Sequence, residues 1–285
     1  MLKLIECPRD AMQGIHEYIP IDLKVKYINL LLKTGFDTID FGSFVSPKSI
    51  PQLTDTADVL EGLNVTNNKT KLLAIIANVR GAEESCLFEQ INYLGYPFSL
   101  SETFQQRNTN RSMEVAYEDL KHIQEICMDH EKELVVYFSM GFGNPYGDPW
   151  NADIVMEWMH KLSNEEIGIF SLADTVGTAS AKDIGSVFKS VTKEYPELEI
   201  GAHFHSKPKD QAIKVEAAWK NGCRRFDMAM LGYGGCPMAE DKLVGNISTE
   251  FMIEFLKEKG VETGLDMEAF GRAQELATEI FGKYK

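Results

Sequence analysis

Two histidines one residue apart, His203 and His205, are the sharpest chemical feature of the sequence. In an extended strand, residues two apart point to the same side, so both imidazoles can bind one ion. An isolated His-x-His can equally be two histidines satisfied by backbone or carboxylate partners. Nearly two hundred residues away stands Arg9-Asp10. As a bare dipeptide it reads as a surface ion pair of little worth. At the mouth of a strand, Asp10 becomes a metal ligand and Arg9, always charged, a donor to a developing oxyanion. Two histidines with oxygen ligands suit magnesium or a first-row divalent ion, whereas thiolates would favour zinc. The third feature is the segment 231–239, Leu-Gly-Tyr-Gly-Gly-Cys-Pro-Met-Ala. Its glycines give the mobility a lid needs, or serve a tight connection with positive φ. Cys236 in that segment is the cysteine placed for reactivity; Cys86, Cys127 and Cys223 are expected to be inert, and Cys7 can approach the site. Asp40 and Asp174 are strand-end acids that act in catalysis or cap the next helix. His16, His122, His130 and His160 are expected to stay outside the chemistry.

Bringing these residues together requires a particular frame. Short apolar or β-branched runs alternate with longer stretches of helical spacing. Strands are predicted over 2–6, 38–41, 72–77, 91–94, 134–139, 167–172, 199–204 and 225–229. The clearest helix covers 22–34, with Leu23, Tyr27, Leu30 and Leu31 on one face and Gly35 as its stop. Others cover 113–130, 249–259 and 267–281. Eight strands alternating with helices match a TIM (β/α)8 barrel in number and length. An open doubly wound sheet would need a glycine-rich phosphate turn after an early strand. Here the first strand runs into Cys7-Pro8-Arg9-Asp10, with no glycine before Gly14. The barrel also accounts for the placement of the polar residues. Arg9 and Asp10, Asp40, Asp174, His203 and His205, and Cys236 with Asn246 all fall at or after strand ends, where this fold keeps its chemistry. We therefore expect one α/β barrel domain over 1–285, with 248–285 as additional C-terminal helices packed on it.

Composition narrows the function. Asp and Glu number 43 against 29 Lys and Arg, a formal net charge of −14. Such a surface repels phosphate backbones and anionic lipid, and the basic residues are scattered, so no nucleic acid and no membrane partner is expected. No apolar run reaches the length of a span. Five cysteines without a C-x-x-C pair, and no visible leader or C-terminal targeting tripeptide, lead us to expect reduced thiols and a cytoplasmic location.

In order and spacing, the motifs resemble the 3-hydroxy-3-methylglutaryl-CoA lyase family. The resemblance rests on Pro8-Arg9-Asp10-x-x-Gln13, on Ser43-Phe44-Val45-Ser46-Pro47-Lys48-x-x-Pro51-Gln52 and on Ser101-Glu102-x-Phe104 with Asn108 beyond it. Ser171-Leu172-x-Asp174-Thr175-x-Gly177 continues it. Gly234-Gly235-Cys236-Pro237, Gly245-Asn246 and Thr249-Glu250 complete it. The resemblance implies that Asp10, His203, His205 and Asn246 ligate Mg2+ or Mn2+, that Arg9 stabilises an enolate and that Cys236 sits on a mobile loop. Asp174 matches an acid used in catalysis, and Asp40 falls where the family has a longer glutamate. His203 is also a candidate proton shuttle. We assign substrate contacts to Gln13, Ser43 and Lys48 from these motifs and to Tyr146 from the turn-rich segment 141–147. The reaction implied is metal-dependent retro-aldol cleavage of an acyl-CoA thioester, 3-hydroxy-3-methylglutaryl-CoA, to acetyl-CoA and acetoacetate, by a homodimer. Related metal-dependent aldolases and acyl-CoA condensing enzymes on the same barrel are the alternative. The condensing relatives often carry a further C-terminal segment for which this chain shows no room. A non-catalytic binding module would have no use for these motifs in register. The sequence departs from the family at Ser206-Lys207-Pro208-Lys209 after the His-x-His, at Glu6-Cys7 before Pro8 (the family's glutamate falls at Ile5), at Ala11, and in the longer spacing from Cys236 to Asn246.

Overall fold

The structure is a computed structural model that describes residues 1–66, 68–235 and 244–284. The described residues form eight strands: β1 (Lys3–Glu6), β2 (Thr38–Ser43), β3 (Lys71–Ile75), β4 (Tyr93–Ser99), β5 (Glu133–Ser139), β6 (Ile169–Asp174), β7 (Glu199–Phe204) and β8 (Arg225–Met228). All neighbours are parallel, in the order β1 to β8, and β1 pairs with β8 to close the barrel. Each predicted strand is present. The largest displacement is β4, which begins two residues later than its apolar run and continues through Pro97 to Ser99.

Strand parity separates two cores. On β3, Leu73 and Ile75 join Tyr93, Val135, Tyr137 and Ile169 in one cluster, while Leu72 and Ala74 join the larger cluster beneath the helices. Side chains alternate across a strand, so the first set fills the barrel axis and the second packs outward. A bulge between Asp40 and Gly42 interrupts the β2–β3 register where Asp40 points to the site. At the N-terminal end of the barrel, Arg225 runs across Gly201, where a Cβ would lie 2.7 Å from Arg225 Cδ. Arg225 Nη1 donates to Glu199 Oε1 at 2.9 Å, and Lys3 Nζ pairs with Glu199 Oε2 at 2.6 Å. These charges close that end.

Helices α1 (Pro8–Gln13) and α2 (Ile21–Thr34) follow β1; α3 (Thr56–Glu61) and α4 (Val79–Cys86) follow β2 and β3. Then come α5 (Glu102–Thr109) and α6 (Met113–Asp129) after β4, α7 (Ala152–Ser163), α8 (Ala181–Glu194) and α9 (Gln211–Lys220) after β5 to β7, and α10 (Thr249–Glu258) and α11 (Met267–Lys283) after β8. Helix α2 buries Tyr27, Ile28, Leu31 and Leu32, and Gly35 ends it with φ 86°. Helix α11 packs against α2 through the edge of Tyr27 on Phe281, and Tyr233 of the loop after β8 stacks on the same Phe281 at 4.6 Å. The last helix is thereby tied to the loop that leaves β8. Among the described residues, no helix is long and apolar enough to cross a membrane.

Candidate active site

Pro8 opens α1 directly after β1, where its missing N–H and fixed φ cost nothing. This turn lifts Arg9, Asp10 and Gln13 over the barrel mouth, three buried or half-buried polar residues on one short helix. Spacing then does the rest. Gln13 lies one turn from Arg9, whose Nη1 donates to Gln13 Oε1 at 2.8 Å and to Asp10 Oδ1 at 3.0 Å. Gln13 Nε2 donates to Asp10 Oδ1 at 2.6 Å. The other edge of the guanidinium is held by Asp40, which accepts from Nε at 3.0 and 3.1 Å and from Nη2 at 2.5 Å. That two-pronged pair fixes the plane of Arg9. Burial raises Asp40, to about 6, against the pull of Arg9.

His203 and His205 leave β7 facing Asp10. Donor atoms of Asp10, His203 and His205 all lie within 4.8 Å of one another, and all three side chains are buried. His205 Nδ1 is 2.9 Å from Thr175 O, so it is the N–H side of the ring. Its Nε2 is buried, 3.9 Å from Asp10 Oδ2, and has no hydrogen-bond partner among the described residues. An unpartnered buried nitrogen is costly, and a cation against its lone pair would remove that cost. Burial opposes ionisation of Asp10, but Arg9 and the two histidines hold its carboxylate well below the usual range. Burial, then the neighbouring His203, lowers His205 to about 4, keeping it neutral as a ligand must be. Asn246 Nδ2 donates to Asp10 Oδ2 at 2.5 Å and to Tyr233 O at 2.9 Å. Turning that amide over would offer its oxygen to the same place. Gly234 (φ +112°) leaves room for this contact, because a Cβ there would lie 2.3 Å from Asn246 Nδ2 and 2.8 Å from Asp10 Oδ2.

The cavity above this cluster has a volume of about 270 Å³. Its floor carries Arg9, Asp10, His203 and His205, and its walls are mainly apolar, with Val45, Ile50, Ile75 and Phe104 among them. Gln13 lines it, as does Asn108. The other expected site residues lie elsewhere. Ser43 is buried and donates to Ile75 O, joining β2 to β3. Lys48 is exposed and does not line the cavity. Tyr146 stacks on the far side of the wall residue Phe104, with Arg107 over its ring at 4.7 Å. Asp174 turns away from the cavity, while its neighbours Ala173 and Thr175 face it. Its carboxylate accepts from Lys214 Nζ at 2.6 Å and from the N–H groups of Thr178 and Ala179. Lys214 Nζ also donates to His205 O at 3.1 Å, so Asp174 reaches the site through the backbone just after β7. Cys236 lies outside the described residues.

Three buried groups escaped the sequence reading. Asp227 on β8 touches His203 Nδ1 at 3.2 Å. Lys214 pairs with Asp174. Glu6 accepts from Met230 N at 2.8 Å and from Thr249 Oγ1 at 2.6 Å, tying β1 to the loop and helix after β8. A signal for Asp227 was present: Arg225 and Asp227 are two charges on one face of a four-residue strand that is otherwise apolar, and that face is the barrel interior.

A closed parallel barrel with a carboxylate, two imidazoles and an amide converging at its C-terminal mouth defines a class of barrel proteins that sets side chains of metal-ligand type beside an anchored guanidinium. Comparison with known proteins gives the family: residues 3–277 match the HMGL-like family, and the chain belongs to it. Hydroxymethylglutaryl-CoA lyase YngG of Bacillus subtilis is 31% identical over 280 residues, 97% of this chain and 91% of that protein. The 3-hydroxy-3-isohexenylglutaryl-CoA/hydroxy-methylglutaryl-CoA lyase of Pseudomonas aeruginosa is 29% identical, covering 99% of this chain and 93% of its own. An HMG-CoA lyase from Acinetobacter baumannii, solved with coenzyme A and 3-methylmalate, superposes with a TM-score of 0.91 at 29% identity over 99% of this chain and 92% of that one.

Proposed function

We propose that this protein cleaves 3-hydroxy-3-methylglutaryl-CoA to acetyl-CoA and acetoacetate. The observation that carries the reading is the meeting of Arg9 with Asp10, His203, His205 and Asn246 at one barrel mouth, in a member of this family. Asp10, His203, His205 and Asn246 would hold Mg2+ or Mn2+, which suits their oxygen and imidazole donors. Such an ion supplies acidity at the substrate's tertiary hydroxyl. The hydroxyl proton passes to water at the barrel mouth, the hydroxyl oxygen becomes the ketone oxygen of acetoacetate, and the adjacent C–C bond breaks with its electrons moving onto the thioester as an enolate. Arg9, held flat by Asp40 and Gln13, offsets charge on the thioester oxygen. Of the two roles the sequence allows His203, its Nδ1 contact with Asp227 supports ligation over shuttling. Cys236 delivers the proton to the enolate carbon. Gln13 and Asn108 supply polar contacts to the acyl group, and Ser43, Lys48 and Tyr146 act through the walls and rim they support. Asp174 is a positioning residue. The protein works as a homodimer.

The test is incubation of metal-stripped enzyme with 3-hydroxy-3-methylglutaryl-CoA and other 3-hydroxyacyl-CoA thioesters, with and without Mg2+ or Mn2+, reading products by mass. Acetoacetate and acetyl-CoA are expected only with the ion. Full turnover without it, or cleavage confined to a different thioester, would overturn the reading. Sedimentation of the purified protein reports the oligomer.

A further inference from the structure

The two site histidines are oriented by unlike partners. His205 gives its Nδ1 to a backbone carbonyl, Thr175 O, at 2.9 Å. His203 faces a carboxylate instead: Asp227 Oδ2 lies 3.2 Å from its Nδ1. Asp227 is 2% exposed and sits opposite His203 in the β7–β8 ladder. Ser171 on β6 donates to the same Oδ2 at 3.1 Å, so three adjacent strands set the geometry. The ring of Tyr137 on β5 meets the His203 ring edge-on, at 5.6 Å and 85°, and blocks its rotation. A carboxylate oxygen accepts here, so Nδ1 carries the hydrogen, and in the neutral ring that a metal ligand must be, Nε2 keeps the lone pair. The ring then presents that lone pair to the Asp10–His205 cluster.

We propose that Asp227 is the positioning residue that holds His203 in the tautomer and orientation needed to bind a divalent ion. The proposal rests on the metal reading given above for the site. It assigns to β8 a direct part in a centre whose ligands come from β7, α1 and the segment before α10. Carboxylate partners of this kind usually change metal affinity by roughly 10–100-fold.

Two measurements test it. Imidazole 15N shifts of the metal-free wild type, recorded at a pH high enough for the ring to be neutral and with His203 assigned through His203→Gln, should show Nδ1 protonated and Nε2 bare. This needs no variant of Asp227 and so cannot be confused with misfolding. Mn2+ titration of Asp227→Asn and Asp227→Ala should then show a loss of about 10–100-fold in affinity, with the His205 resonances unmoved. A neutral His203 with its hydrogen on Nε2 instead of Nδ1 would overturn the proposal, as would wild-type Mn2+ affinity in either folded variant. A wild type that binds no Mn2+ would count against the metal reading itself, and the tautomer would still decide the Asp227 contact.

Discussion

Gly234 shows how closely single atoms limit this site. Its φ of +112° and the lack of room for a Cβ beside Asn246 and Asp10 are separate demands. Gly143 separates them, because it has φ +114° but nothing within 4 Å of where a Cβ would stand. Both Gly→Ala changes force an L side chain into strained backbone. Only Gly234→Ala also pushes apart the amide and carboxylate expected to hold the ion. Mn2+ affinity should therefore fall at least about tenfold in Gly234→Ala, a cost near 1.4 kcal/mol, and stay near wild type in Gly143→Ala; equal losses would mean that backbone strain alone is at work. For Cys236, a proton delivered late in the reaction predicts that Cys236→Ala loses on the order of 100-fold in kcat while binding Mn2+ and thioester normally. Near-normal turnover would refute the catalytic role of Cys236 and leave the segment as a lid only. Residue identity was the most legible level. Arg9, Asp10, His203 and His205 are unusual types at informative spacings, and the structure brings them to one cavity. Direction was less legible: Asp174 was placed at a strand end, but one residue of parity sends it to Lys214 rather than into the cavity.

At the scale of elements, the join between β1 and the segment after β8 is made by carboxylates. Glu6 takes Met230 N and Thr249 Oγ1, and Glu250 takes Leu231 N, a residue held at φ +61°. Burial pushes Glu6 up from 4.5 to about 8. Below pH 4.5 it is protonated in both folded and unfolded chains and carries no penalty. Between 4.5 and about 8 the unfolded chain ionises while the folded one keeps its proton, so this contribution is lost as pH rises, at roughly 1.4 kcal/mol per pH unit, and levels off above about 8. Glu6→Gln removes that slope. Urea unfolding at about pH 5 and about pH 7.5, inside that window, should show the variant gaining on the wild type at the higher pH; a pH-independent difference would refute an ionisable Glu6. The last helix offers a second check. Phe281→Ala removes the ring under Tyr233, whose carbonyl accepts from Asn246. About 3 kcal/mol of stability should go with that core ring, together with some Mn2+ affinity, whereas truncations elsewhere on α11 should cost stability alone. Sequence periodicity located these strands and helices because each has one apolar face. Ties such as Glu6 to Thr249 span more than two hundred residues and leave no local pattern.

The whole barrel is closed at one end. Leu73, Tyr93, Val135 and Ile169 fill its axis, and Lys3, Glu199 and Arg225 pair at the N-terminal rim, so among the described residues the cavity beside Asp10 is separated from that rim and lies at the C-terminal mouth. Alternation of strands and helices made this closure readable from the sequence; the plug of charges did not stand out, because Arg225 and Glu199 look like surface residues until Gly201 is seen to let the arginine cross it. Traffic follows from the shape. A reaction that turns one molecule into two, inside a vessel with one doorway, has to let its products out in turn. On the site proposed above, the fragment bound beside Asp10 should wait behind the one reaching toward solvent. It should compete directly with substrate, while the earlier leaver should inhibit without competing. Steady-state inhibition by acetoacetate and by acetyl-CoA measures this, and competition by both would mean that each finds its own way out.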